Sequence, residues 1–367
     1  MRYLFFLVLM VSCSKSLEER CFTSSDDIST KNFKNDEDLI NDNYYDYAQK
    51  YDVKKIIAEK PDYLQIIYLK KFRSFKKDSL SLLSKSEEMA KRNEDDDSEF
   101  KTFNDKFSEQ FSFSNQQKIG NVRYAFGRNQ LGFWLCKIEN DQPSVYFLGL
   151  SFSHYYINEV QEKPMVNHGF LELEGSFVTI VKVPDLPVYD DYSAIEDGKL
   201  FKIALSDLMK DSDNDGYNDI FENCFGLNPD NKDTDGDGID DFKDLNPMFK
   251  SEKNKFTQLY EMLLPDYGSE DLSNKNYCFE IFSSDCDYFH QINPKYHILF
   301  SPEDLHSKTN YLKLTGVSSH GIGKIKRNKN NPDVFYIQSW GNSGMTHYSA
   351  EYRNGRWILE VGGGYII

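Results

Sequence analysis

The sequence predicts an α+β protein, with an N-terminal helical segment followed by two antiparallel β-rich lobes joined by an irregular acidic segment. Three observations carry this. Apolar residues recur at spacings of three and four early in the chain, at Leu64, Ile67, Tyr68, Phe72 and Phe75, as on one face of a helix. From about residue 120 the period changes to two, the mark of half-buried strands. Between residues 211 and 244 both patterns give way to twelve acidic residues against Lys232 and Lys243, a local net charge of −10.

A chain of 367 residues is long enough for two or three cores, and aromatic side chains, 15% of the total, supply large areas to bury. The formal net charge of −16 repels phosphate backbones and anionic headgroups, so no nucleic-acid partner is expected and binding to a membrane through net protein charge is disfavoured.

At the start, Arg2 supplies a positive charge, Leu4 to Val11 an apolar run of eight, and Ser12-Cys13 follows. Eight residues are too few for a span that needs about 20, so residues 1–12 read as a signal peptide. Met10-Val11-Ser12-Cys13 resembles a bacterial lipobox, with a small residue before the cysteine and Met10 where Leu is usual. The resemblance implies cleavage before Cys13, acylation of Cys13, export and attachment to the cell envelope through the lipid. Of the other cysteines, Cys21, Cys136, Cys224, Cys278 and Cys286, at most four can pair, and short separation favours Cys278 with Cys286.

Residues 13–45 are polar and suit a tether. Helices are expected over about 44–90, with Pro61 as a first-turn residue, and over about 100–112. The run Glu94-Asp95-Asp96-Asp97 lacks alternation and glycine and reads as a solvated loop. Strands are expected at Val122–Phe126, Phe133–Ile138, Val145–Phe152, Gly169–Leu173, Phe177–Val183 and Leu200–Leu205. Beyond the acidic segment come an amphipathic helix carrying Phe256, Leu259, Tyr260 and Leu263, then strands at Tyr296–Phe300, Tyr311–Leu314, Val334–Trp340, Thr346–Tyr352 and Trp357–Val361. Asn354-Gly355 predicts a type I′ hairpin, because both residues tolerate positive φ. The organisation that follows is signal 1–12, tether 13–45, helical segment 46–118, β-rich lobe 119–209, acidic segment 210–247 and α+β lobe 252–367.

The acidic segment holds one pattern twice, 22 residues apart. Asp211, Asp213 and Asp215 alternate, Gly216 follows, and Asp219 and Glu222 take the ninth and twelfth places; Asp233, Asp235, Asp237, Gly238, Asp241 and Asp244 repeat it. Calcium takes six to eight hard oxygens at about 2.3–2.6 Å, and a chain curling round the ion delivers them at the first, third and fifth places. Glycine at the sixth allows the turn, the seventh offers a backbone carbonyl (Tyr217, Ile239), the ninth acts often through water and the twelfth closes the sphere. The cofactor expected is therefore Ca²⁺. Pro247 forbids the exiting helix of an EF-hand after the second loop. With Gly226-Leu227-Asn228-Pro229 between the loops and Cys224 two residues after Glu222, the segment resembles the bacterial form of thrombospondin type 3 repeats. The resemblance covers about a tenth of the chain and implies loops stacked around calcium with little other core.

No other constellation carries chemistry. His154, His168, His290, His297, His306, His320 and His347 show no paired metal spacing. Gly316–Gly321 misses the G-x-S-x-G spacing, and Gly362-Gly363-Gly364 has no helix after it to cradle a phosphate. The expectation is an envelope protein stabilised by calcium, with a binding or structural role toward an envelope protein or glycan, and more a binder than an enzyme. A calcium-dependent envelope hydrolase and an accessory of a surface-assembly or secretion complex are the alternatives.

Overall fold

The structure is a computed structural model describing residues 20–23, 51–83, 99–108, 110–182, 190–268, 271–315, 320–341 and 344–366. The signal segment, Cys13, most of the tether and the acidic run at 94–97 lie outside the described residues. The protein is α+β, with more strand than helix. Among the described residues no helix is long and apolar enough to cross a membrane.

The first part of the chain is not wholly helical. Helix α1 (Val53–Ala58), whose cap Asp52 accepts from the Lys55 amide, leads into a strand, β1 (Leu64–Tyr68). This corrects the helix expected through Leu64, Ile67 and Tyr68. Leu64 is fully buried while Ile67 and Tyr68 are exposed, as on an edge strand, and the segment pairs antiparallel with residues 199–203. A spacing of three and four cannot exclude that outcome, because a distant strand supplies the backbone partners. Helices α2 (Phe75–Leu83) and α3 (Lys101–Phe107) follow.

Strands β2 (Ser112–Ile119), β3 (Val122–Asn129), β4 (Gly132–Glu139) and β5 (Gln142–Phe147) form a four-stranded antiparallel meander. The chain leaves strand at Phe147, short of the expected Phe152. β6 (Tyr155–Ile157), β7 (Val166–Asn167), β8 (Phe170–Lys182) and β9 (Asp190–Ala204) join β1 in a second antiparallel sheet. The two strands expected around Gly175 are one bulged strand, β8. After α4 (Leu205–Leu208) comes the acidic segment with its own helix, α5 (Asp219–Phe225).

Helix α6 (Lys255–Leu263) starts at a capping box between Asn254 and Thr257 and buries Phe256, Leu259, Tyr260 and Leu263, the apolar face read from the sequence. The third sheet contains β10 (Glu280–Ser283), β11 (Ile298–Ser301), β12 (His320–Ile322), β13 (Lys326–Arg327), β14 (Val334–Gly341), β15 (Gly344–Arg353) and β16 (Arg356–Ile366). It is mixed, because β10 pairs parallel with both β11 and β12, which α7 (Asp287–His290) and α8 (Asn310–Leu314) help to connect. Tyr311–Leu314, expected as a strand, is α8; Thr309 caps it by accepting from the Leu312 amide. Asn354 and Gly355 both have positive φ in the β15–β16 turn.

Two aromatic cores result. The larger runs from Ile56 through both N-terminal sheets and takes in Tyr217, Phe221, Phe225, Phe279, Leu299 and Tyr311, so it does not stop at residue 209. The smaller is built from α6, α7 and the third sheet, and also holds Cys21. Met248, just past the acidic segment, packs against both. Cys286 bridges to Cys21, 265 residues away, and not to Cys278 as expected.

Candidate metal centre

Both loops fold by the same local bonds. The first-place carboxylate of each accepts from two or more amides across the loop: Asp211 from Asn214 and Gly216, Asp233 from Gly236, Asp237 and Gly238. Third- and fifth-place carboxylates each accept from the amide two residues on, Asp213 from Asp215, Asp215 from Tyr217, Asp235 from Asp237 and Asp237 from Ile239, at 2.7–3.1 Å. Left-handed backbone falls at the fourth and sixth places of both loops, at Asn214 and Gly236 and at Gly216 and Gly238. At Gly216 a Cβ would also meet the Phe242 ring at 3.1 Å, so glycine lets the second loop lie against the first.

The first-place carboxylates use both oxygens in these bonds, whereas those at the third and fifth places use Oδ1 alone. Asp213 Oδ2, Asp215 Oδ2 and Asp235 Oδ2 are buried with no hydrogen-bond partner, as are both oxygens of Glu222, whose side chain is 0% exposed. Ligand oxygens gather within 4.8 Å in three groups: Asp211, Asp213 and Asp215; Asp233, Asp235 and Asp237; and Asp215, Glu222 and Asp241. The last joins the two loops, since Asp241 is the ninth residue of the second and the others belong to the first.

The remaining expected ligands are placed differently. Asp219 accepts from the Ser212 amide and hydroxyl and from the Lys210 ammonium, and stands outside all three groups. Asp241 makes the equivalent bonds to Thr234 and still reaches the first loop. The hydroxyl residue at the second place of both loops is the sequence signal for this clip. Asp244 is buried near Asp237 and Asp235 and accepts from the Asn246 amide. The seventh places diverge: Tyr217 is buried, stacked on Phe221 at 4.5 Å and donating its hydroxyl to the Asn276 carbonyl, whereas Ile239 is 45% exposed.

Electrostatics follow from the crowding. Burial, then the neighbouring Asp213 and Asp215, pushes the Glu222 carboxyl up to about 9. Burial raises Asp215 to about 7 and Asp244 to about 6. Burial also acts on Asp219, but the bonds from Lys210 and Ser212 outweigh it and hold that carboxyl below its ordinary value. Two unpartnered carboxylate oxygens in a buried site are costly, and a divalent cation removes that cost.

The segment is bound into the body. Asn218 donates to the Phe147 and Leu208 carbonyls and accepts from the Phe147 amide; Asn246 donates to the carbonyls of His290 and Ile292. Helix α5 puts Phe221 and Phe225 into the larger core and ends at Gly226 with left-handed backbone. This corrects the irregular, core-poor segment implied by the repeat resemblance. Among the described residues no histidine joins the carboxylate groups, and burial pulls His154 and His297 down to about 4.

Known protein families, curated proteins and solved structures give no match to this chain.

Proposed function

We propose that the protein is a calcium-binding, lipid-anchored protein of the bacterial cell envelope in which Ca²⁺ is a structural ion. The observation that carries the reading is Glu222: a fully buried carboxylate with neither oxygen partnered, facing Asp215 and Asp241. Hard oxygens in repeated loops with glycine at the sixth place suit calcium over zinc, whose structural sites use thiolate and imidazole. Asp211, Asp213, Asp215, Glu222 and Asp241 would hold one ion, and Asp233, Asp235 and Asp237, with Asp244 beside them, a second. An ion there supplies positive charge and no chemistry of turnover.

The ion's role follows from what the loops carry. Tyr217, Phe221 and Phe225 belong to the larger core, Phe242 packs on Tyr217, and Met248 touches both cores. Filling the loops therefore stabilises the packing between the cores, in place of a linker that unfolds by itself. Extracellular sites of this kind bind at roughly 10⁻⁴ to 10⁻³ M, which fills them outside the cell and empties them in the cytosol. Export and acylation at Cys13 fit that environment, as does a disulfide. An envelope protein or glycan is the partner class proposed.

The test is calorimetric titration of the chelator-treated full chain with calcium and, separately, magnesium. Calcium binding with a rise in thermal midpoint and little response to magnesium supports the reading; no calcium heat and no rise reject it.

A further inference from the structure

We infer that the face around Phe22 and Arg327 rests on anionic headgroups of the membrane that carries the anchor; this rests on the acylation of Cys13 proposed above. The described chain at residues 20–23 is fixed to the smaller core. Cys21 is bonded to Cys286, its carbonyl accepts from the Ile325 amide at 2.8 Å, and the Thr23 amide donates to the Ile325 carbonyl at 3.0 Å. Only eight residue-to-residue steps separate Cys21 from Cys13. Even fully extended they span at most about 28 Å, so this face stays within that distance of the lipid.

The same face is basic on a chain of net charge −16. The Arg327 guanidinium lies 5.3 Å from the Phe22 ring, and the Lys255 ammonium 4.8 Å from the Phe256 ring, itself 5.2 Å from Phe22. From Lys324 to Asn331 the chain holds four basic residues and no acidic one. Lys324 pairs with Glu303 and Arg20 with Asp287, which leaves the exposed Lys255, Arg327 and Lys329; Lys326, beside Tyr336 in the β13–β14 register, points to the opposite side of the sheet from Phe335 and Phe22. Cations over apolar aromatic rings, beside the point where the anchor chain leaves, are what an anionic interface attracts. The net charge repels the rest of the body and so selects this orientation. A second basic stretch, Lys70, Lys71, Lys76 and Lys77, lies on the other core without such a tether.

The experiment uses the full chain made in a lipoprotein-competent bacterium and reconstituted into zwitterionic vesicles with or without anionic phospholipid. Lysines are acylated briefly and read by mass spectrometry, which also reports the state of Cys13. With Cys13 lipidated, Lys255 and Lys329 should react roughly fivefold more slowly on anionic vesicles, high salt should remove the difference, and Lys70 and Lys71 should not change. The variant Arg327→Gln/Lys329→Gln should lose the slowing at Lys255 while keeping its thermal midpoint. Equal reactivity on both vesicles with Cys13 lipidated overturns the inference and leaves the anchor standing. Slowing at Lys70 and Lys71 instead also overturns it, in favour of the other face. An unmodified Cys13 in that sample rejects the anchor, and this inference with it.

Discussion

The carboxylates of Asp241 and Glu222 come from different loops, yet their oxygens lie within 4.8 Å of each other and of Asp215. Two loops that could each have bound an ion alone are therefore coupled. Asp241→Asn keeps an oxygen to accept from the Thr234 amide, presents an NH2 that can donate to the Thr234 hydroxyl, and removes a charge from the first loop's group. It should weaken the first site about tenfold or more, and the second less, in calorimetry fitted to two sites. Equal weakening of both would show that the cross-loop approach does not matter.

Glu222→Gln should change sign with calcium. Without the ion, burial and the neighbouring carboxylates hold the Glu222 carboxyl protonated at neutral pH, so folding must take up a proton; the amide needs none and relieves that cost by roughly 1–3 kcal/mol. With calcium the same change removes a ligand. The variant is expected to melt above wild type in chelator and below it in millimolar calcium; one order of melting in both conditions would contradict the site.

The raised carboxyls make both calcium binding and ion-free stability depend on pH. Glu222 at about 9 and Asp215 at about 7 sit above their ordinary values, so the stability they give the ion-free fold is complete below about 4 and is lost as pH rises through 7 to 9. The ion-free thermal midpoint should fall from pH 5 to pH 9, and calcium should oppose that fall. At pH 7 calcium must displace bound protons, so the heat of binding should vary with the ionisation enthalpy of the buffer. A heat independent of buffer would contradict these shifts.

Much of this was legible in the sequence because it is local. The amides that fix Asp213, Asp215, Asp235 and Asp237 lie two residues on, and the alternation displays them. Helix α6 and the Asn354-Gly355 turn declare themselves in the same way. What depended on distant partners was not legible. Leu64–Tyr68 is a strand because residues 199–203 pair with it, and Cys286 meets Cys21 across 265 residues. Asp241 reaches Glu222 because Phe242 packs against Gly216 and Tyr217, a contact that no spacing encodes.

The Cys21–Cys286 bridge ties the start of the described chain to the smaller core, in a compartment proposed to be oxidising. Cys21→Ser/Cys286→Ser should lose roughly 2–5 kcal/mol in denaturant unfolding. Calcium affinity should stay within about twofold, because independent distant sites act additively. A large loss of affinity would mean that the bridge shapes the loops.

The central claim is that loop geometry, and not net charge, holds calcium, and one titration series tests it most directly. Asp215→Ala and Asp237→Ala each delete a fifth-place carboxylate, whereas Asp240→Ala deletes an equal charge that is outside the three groups and pairs with Lys232 at 2.9 Å. Calorimetric titration should find one site lost in each of the first two variants and both kept in the third. Equal loss of calcium in Asp240→Ala would contradict it.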